Sequence, residues 1–229
     1  MSFILFLKYN LMVNYMYKYK ILIIFLFLLF VFGKVNANTK GLEGKKIYLD
    51  AGHGGKDPGA YYKDIYEEDI NLKIVLKLKD KIESMGGIVY LTRNDDYDLS
   101  NLNAKLRKRS DLANRAKMIN DSDADIYLSI HLNSSVHTSW KGAQVFYDDI
   151  NKENEEIAEI FQKQFNKRLN SDKKIKEISN LYMYKNIKKK GLLLELGFIS
   201  NPIERNKLLN EKYQDKIVNT IIESLIEIL

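Results

Sequence analysis

Three stretches of the chain put side chains that ligate metals or move protons at the ends of apolar runs. "KIYLDAGHGGKDPGA" (46–60) sets His53 in a glycine cluster after a run that reads as a buried strand, "ADIYLSIHLN" (124–133) sets His131 at the end of a second, and "GLLLELGF" (191–198) interrupts a third with Glu195. Open α/β folds bind ligands at the carboxyl edge of their sheets. Two strand-end imidazoles on one such edge suggest a shared ion, imidazole being the commonest metal ligand. A catalytic zinc site takes three protein ligands and keeps one position open, so an acidic residue or another histidine is still needed.

"YEEDINLKIVLKLKDKIESM" (66–85) supplies Glu67, Glu68 and Asp69 in the first turn of an expected helix. Any of them would also be favoured there by the helix dipole. On a helical wheel Glu67 shares the apolar stripe of Ile70, Ile74, Leu78 and Met85, Glu68 sits about 100° away at its margin, and Asp69 about 200° away on the polar side. A carboxylate on a buried stripe requires a partner, which makes Glu67 the third ligand. Glu195 poses the same problem, since burying an unpaired carboxylate costs several kcal/mol. A proton, a cation or a metal-bound water must neutralise it, and at the end of a central strand it can serve as a general base. An ion pair with a nearby lysine is the structural alternative.

The elements that would hold these residues alternate. Strands are expected at 46–51, 88–93, 125–132, 143–148, near 181–185 and at 192–196, and helices at about 67–85, 103–119, 153–169 and from 213. Such alternation predicts a single α/β domain with a mostly parallel, twisted sheet flanked by helices. Gly86 and Gly87 end the first helix. Asn201 and Pro202 start another as N-cap and first helical residue. Ile217, Ile221, Leu225 and Ile228 form a stripe that packs the last helix on the sheet.

Residues 1–37 have Lys8, Lys18, Lys20 and Lys34 as their only charges, and "ILIIFLFLLFVF" (21–32) is unbroken apolar sequence. This reads as a signal peptide cleaved after "VNA" (35–37), or as an uncleaved signal anchor that would be the chain's one link to a membrane. Residues 38–229 would then be an exported domain. Of 36 basic and 30 acidic side chains in the whole chain, 32 and 30 remain after the leader. A near-neutral domain with dispersed lysines gives no reason to infer nucleic-acid binding. With no cysteine, it depends on its core and any bound metal rather than on disulfides.

The motifs "DAGHGGKDPGA", "EEDINL", "RSDLANRA", "ADIYLSIHLNSS" and "LLLELGFISNP", in this order, resemble the zinc-dependent N-acetylmuramoyl-L-alanine amidases of the Amidase_3 type over about residues 45–229. The resemblance implies a Zn2+ held by His53, Glu67 and His131, with Glu195 in the position of the catalytic glutamate. It implies hydrolysis of the amide between N-acetylmuramic acid and L-alanine in peptidoglycan, whose glycan strands and stem peptides are then the partners, and it leaves room for an activating envelope protein. A leader followed by a bare catalytic domain resembles the spore-cortex, germination-specific branch, which would put the protein in the cell envelope or spore envelope. Arg109 and Asn114 match the family's "R-x-x-x-A-N" helix as structural or rim positions. Where many relatives carry a proline before the last strand this chain has "KKKG" (188–191). His137 reads as a solvated loop residue, and Trp140 and the 15 tyrosines as mostly core. The rival readings are a zinc hydrolase for another envelope bond and a wall-binding protein whose metal only holds the fold.

Overall fold

Apolar runs too short for helices become the strands of one six-stranded sheet. In the computed structural model, which describes residues 8, 12–13, 15–24 and 41–229, these are β1 (Lys46–Ala51), β4 (Ile88–Leu91), β5 (Ile126–Asn133), β6 (Gln144–Tyr147), β7 (Lys176–Glu177) and β8 (Gly191–Phe198). The order is β4-β1-β5-β8-β6-β7. Every pairing is parallel except β6 with β8, so the sheet is mostly parallel as expected. A two-stranded hairpin, β2 (Tyr61–Tyr62) and β3 (Ile65–Tyr66), lies between β1 and the first helix.

Period-two alternation gives the sheet two different faces. Ile47, Leu49, Ala51, Ile126, Leu128, Ile130, Leu192, Leu194 and Leu196 join the larger core cluster with α1 (Glu67–Ser84), α3 (Asn154–Leu169) and α5 (Glu211–Ile228). The opposite face carries Tyr48, Tyr127 and Leu193 against α2 (Arg107–Asp121) and a 3-10 turn at Tyr184–Asn186. Register aligns Asp50 with Ser129 and Leu193 on this second face, and His131 with Glu195 and Gln144 one row nearer the carboxyl edge.

Chain punctuation follows local chemistry. Met85 caps α1 and Gly86 continues at φ 82°, the left-handed conformation glycine adopts freely. Asn201 accepts hydrogen bonds from the amides of Ile203 and Glu204 and starts α4 (Pro202–Leu208) with proline in its first turn. In α5, Ile217, Ile221 and Leu225 are fully buried and Ile228 packs at the margin of the same cluster.

The expected strand near 181–185 does not form; the segment makes the 3-10 turn instead. Met183 and Tyr184 are buried consecutively beneath α2, whereas a strand would send neighbours to opposite faces. The segment lies over the sheet rather than in its plane, and the Tyr184 hydroxyl reaches Ser129 of β5 at 3.0 Å. The "KKKG" stretch leads into β8, and the Lys188 amide donates to Asn120 Oδ1 at 2.8 Å.

The chain divides into two units, residues 1–40 and residues 41–229, the second of them compact. Residues 15–24 of the first are helical, and no helix among the described residues is long and apolar enough to cross a membrane. Residues 25–37, with most of the apolar run and the expected cleavage site, lie outside the described residues.

Candidate metal centre and active site

His53 leaves β1 in the left-handed region, at φ 64°, a conformation uncommon outside glycine and available to histidine. That turn aims its ring back over the sheet edge, where His131 arrives from β5 and Glu67 from the first turn of α1. Two glycines allow the approach. A Cβ on Gly52 would lie 2.2 Å from the His131 ring, and one on Gly59 would lie 2.6 Å from Glu67 Oε2 and 2.7 Å from His53 Cδ2.

The three side chains converge. His53 Nε2 is 3.2 Å and His131 Nδ1 is 3.1 Å from Glu67 Oε1, and one ligating atom from each residue falls within 4.8 Å of the others. Two imidazole nitrogens and one carboxylate oxygen form a donor set suited to zinc with a position left open. Each ligand is held from behind. His53 Nδ1 faces Asp57 Oδ2 at 3.1 Å, His131 Nε2 faces the Tyr184 hydroxyl at 3.4 Å, and Glu67 Oε2 accepts from the Ala60 amide at 2.8 Å. Such outer partners orient ligands and tune their basicity.

Glu68 and Asp69 stand apart from the cluster. Glu68 is buried rather than marginal, turned toward Arg93 and Asp96, and its carboxyl is pushed up to about 7 by burial and then by the charge of Asp96. Asp69 is exposed.

The charges of the metal-free site depend on one another. Burial works against a charged His53, but hydrogen bonds to Asp57 and Glu67 raise it to about 9. Burial likewise works against ionised Glu67, yet His131 and His53 hold it well below the usual carboxylate range. Glu195 behaves oppositely: burial, reinforced by the charge of Glu67 and opposed by His53, pushes it up to about 8. Its Oε2 is buried without a hydrogen-bond partner, and the alternative of a lysine ion pair finds no such pair among the described residues. A cation and a water delivered beside it would relieve both conditions.

A polar hub beneath the ligands was not legible as such in the sequence. Arg115 of α2 donates to Asp50 Oδ1 at 2.8 Å, to the Ala51 carbonyl at 2.7 Å, to the His53 carbonyl at 2.6 Å and to Asp111 Oδ2 at 2.8 Å. Ser129 donates to Asp50 Oδ2 at 2.5 Å, and the Tyr184 hydroxyl meets Ser129. The available signals were Asp50, which interrupts an apolar strand as Glu195 does, and Asp111 with Arg115 at i, i+4. Tyr184 had none, being one tyrosine among 15.

A cleft of about 250 Å³ exposes His53, His131 and Glu195, with Tyr182 and Lys108 on its rim. Arg109 lies over the Tyr182 ring at 4.8 Å, and Asn114 donates to the Leu99 carbonyl at 2.6 Å, a rim and a structural position respectively. His137 is exposed, as expected for a loop residue. Trp140 is also exposed and packs edge-on to Phe198, so it is not core.

The family model described as N-acetylmuramoyl-L-alanine amidase, Amidase_3, matches residues 47–227. The germination-specific N-acetylmuramoyl-L-alanine amidase of Bacillus subtilis is 41% identical over 189 residues, which covers 81% of this chain and 80% of the relative. Among solved structures, the CwlD amidase of Clostridioides difficile in complex with the GerS lipoprotein superposes with a TM-score of 0.76 at 37% identity, covering 80% of this chain and 98% of that one. An N-acetylmuramoyl-L-alanine amidase from Clostridium difficile 630 superposes at 0.71 with 28% identity, covering 81% and 96%.

Proposed function

The chain belongs to the Amidase_3 family of N-acetylmuramoyl-L-alanine amidases, and from that premise we propose that His53, Glu67 and His131 hold a zinc ion beside Glu195, the general base of the reaction. The protein is a hydrolase of the amide joining N-acetylmuramic acid to L-alanine in peptidoglycan, acting on the cell wall in germination. The convergence of two imidazoles and a carboxylate next to a buried, unpartnered carboxyl oxygen carries the assignment of roles.

When bound, zinc supplies Lewis-acid polarisation of a carbonyl and acidification of water. Glu195 accepts the water proton at Oε2, the oxygen that no protein donor occupies. It then gives that proton to the departing alanine nitrogen, so one carboxyl acts as base and then as acid. Atoms balance: water divides between a lactyl carboxylate and a peptide amine. Asp57 and Tyr184 keep the two imidazoles in place, and the Arg115 hub holds the His53 turn through its carbonyl.

The apolar leader and the extracellular location of peptidoglycan support export, with residues 38–229 as the catalytic domain. N-terminal sequencing of protein recovered from the envelope should read from Asn38; retention of residues 21–32 would make the leader an anchor. The solved relative in complex with a lipoprotein supports an envelope protein partner for this chain. Mass spectrometry of peptidoglycan incubated with zinc-loaded protein tests the activity itself. Stem peptides with a free alanine amine are expected, whereas released acetate or cleaved stem-peptide bonds would contradict it.

A further inference from the structure

Two more cavities share lining residues with the candidate active-site cleft. One, of about 280 Å³, is lined by Lys56, Asp57, Asp98, Arg107, Lys108 and Asp111. The other, of about 610 Å³, is lined by Lys105, Leu106, Arg107, Lys108, Arg109, Leu112 and Tyr182. Lys108 lines all three, so the cavities adjoin along the first turn of α2 and together make the groove on the side of the cleft away from Glu195. Without the leader the chain carries 32 basic and 30 acidic side chains, so the cations gathered here are a local feature rather than a reflection of net charge.

The groove's acids are already engaged. Asp98 pairs with Arg107, Asp111 with Arg115, and Asp57 with both His53 and Lys108. Lys105 and Arg109 are exposed and have no acidic partner among the described residues. The Arg109 guanidinium sits 4.8 Å over the Tyr182 ring, a contact that holds it at the groove while its N–H groups stay available to a bidentate acceptor. Helix stability does not account for them. The first turn of α2 carries Arg107, Lys108 and Arg109 and no acid, at the end where the helix dipole disfavours cations.

We propose that this groove binds the carboxylates of the peptidoglycan stem peptide, with Arg109 and Lys105 as the reading residues. The inference rests on the amidase reading for its ligand. The fragment that leaves with the new amine carries free carboxylates, and an acceptor of that kind suits a cationic channel running out of the cleft.

The test compares zinc-loaded full chain with a Lys105→Gln/Arg109→Gln variant on two soluble muropeptides, one with free stem carboxylates and one with those groups amidated. Wild type is expected to favour the carboxylate form by about tenfold in kcat/KM, carried by KM, and to lose the preference in high salt, where screening acts within about 3 Å. The variant should cleave both forms at the wild-type rate for the amidated one. Equal losses on both forms, or an unchanged preference, would overturn the proposal. Calorimetry with the free stem peptide reads the groove independently of turnover. If wild type binds that peptide and the variant does not, the groove assignment stands even with no amide cut; if both bind equally it falls. A phosphodiester polymer that displaces the peptide at equal concentration would reassign the groove and also overturn it.

Discussion

At the residue scale, the site is a problem of burying charge. Glu67 is 3% exposed, and its ionisation is sustained by two imidazoles and the Ala60 and Leu132 amides. Glu195 has no such support. His53→Ala, Glu67→Ala and His131→Ala should therefore each lose most bound zinc, while Glu68→Ala keeps it, because Glu68 faces Arg93 and Asp96 instead. Metal content per mole of folded protein measures this. Zinc lost from Glu68→Ala but kept by Glu67→Ala would overturn the ligand set. The wheel reading separated Glu67 from its neighbours, and of the three acids only Glu67 lies with His53 and His131, on the stripe that packs against β1 and β5. It placed Glu68 at the margin because a wheel knows nothing of Arg93, which follows β4 and donates to the Glu68 carbonyl at 2.8 Å.

At the element scale, strands deliver the histidines while an irregular segment holds one of them. The turn at Tyr184–Asn186 lays the Tyr184 hydroxyl between His131 Nε2 and Ser129 Oγ. Tyr184→Phe removes that hydroxyl with little change in volume, and zinc affinity should fall about 10- to 100-fold at nearly unchanged stability. Competition with a chelator of known affinity reads the effect, and affinity within about twofold of wild type would remove Tyr184 from the site. β1, β4, β5, β6 and β8, α1 and the capped start of α4 were legible because apolar periodicity and the Asn201-Pro202 pair are local signals, whereas the two-residue strands β2, β3 and β7 are too short to carry one. The 3-10 turn was not. "LYMYK" has strand composition, and only packing beneath α2 decides that Met183 and Tyr184 are buried together. The Asp50–Arg115–Asp111 hub is likewise a product of long-range register, which no local pattern reports.

At the scale of the whole molecule, stability should follow the metal. In the chelated protein His53 is raised to about 9 and Glu195 to about 8, above their unfolded values of about 6.5 and about 4.3. Their folded state therefore binds extra protons. The stabilisation from His53 is complete below about pH 6.5 and lost as pH rises through 9, and the cost of ionising Glu195 grows from about pH 4.3 to 8. Zinc competes with the imidazole protons, so the loaded protein gains as they are released. The difference in Tm between zinc-loaded and chelated protein should widen steadily from pH 5 to 9. Calorimetric scans across that range check it, and a constant difference would mean that the metal binds elsewhere.

The central claim is that metal binding and proton transfer reside in different side chains of one cleft. Glu195→Gln separates them, since glutamine keeps the shape and hydrogen-bonding capacity of the side chain but cannot take a proton. Stem-peptide release from peptidoglycan, measured on a folded preparation with zinc content confirmed, should fall roughly 100- to 10,000-fold, a loss of about 3 to 5 kcal/mol in transition-state stabilisation. A zinc-loaded Glu195→Gln protein that cleaves within about threefold of wild type would contradict the account.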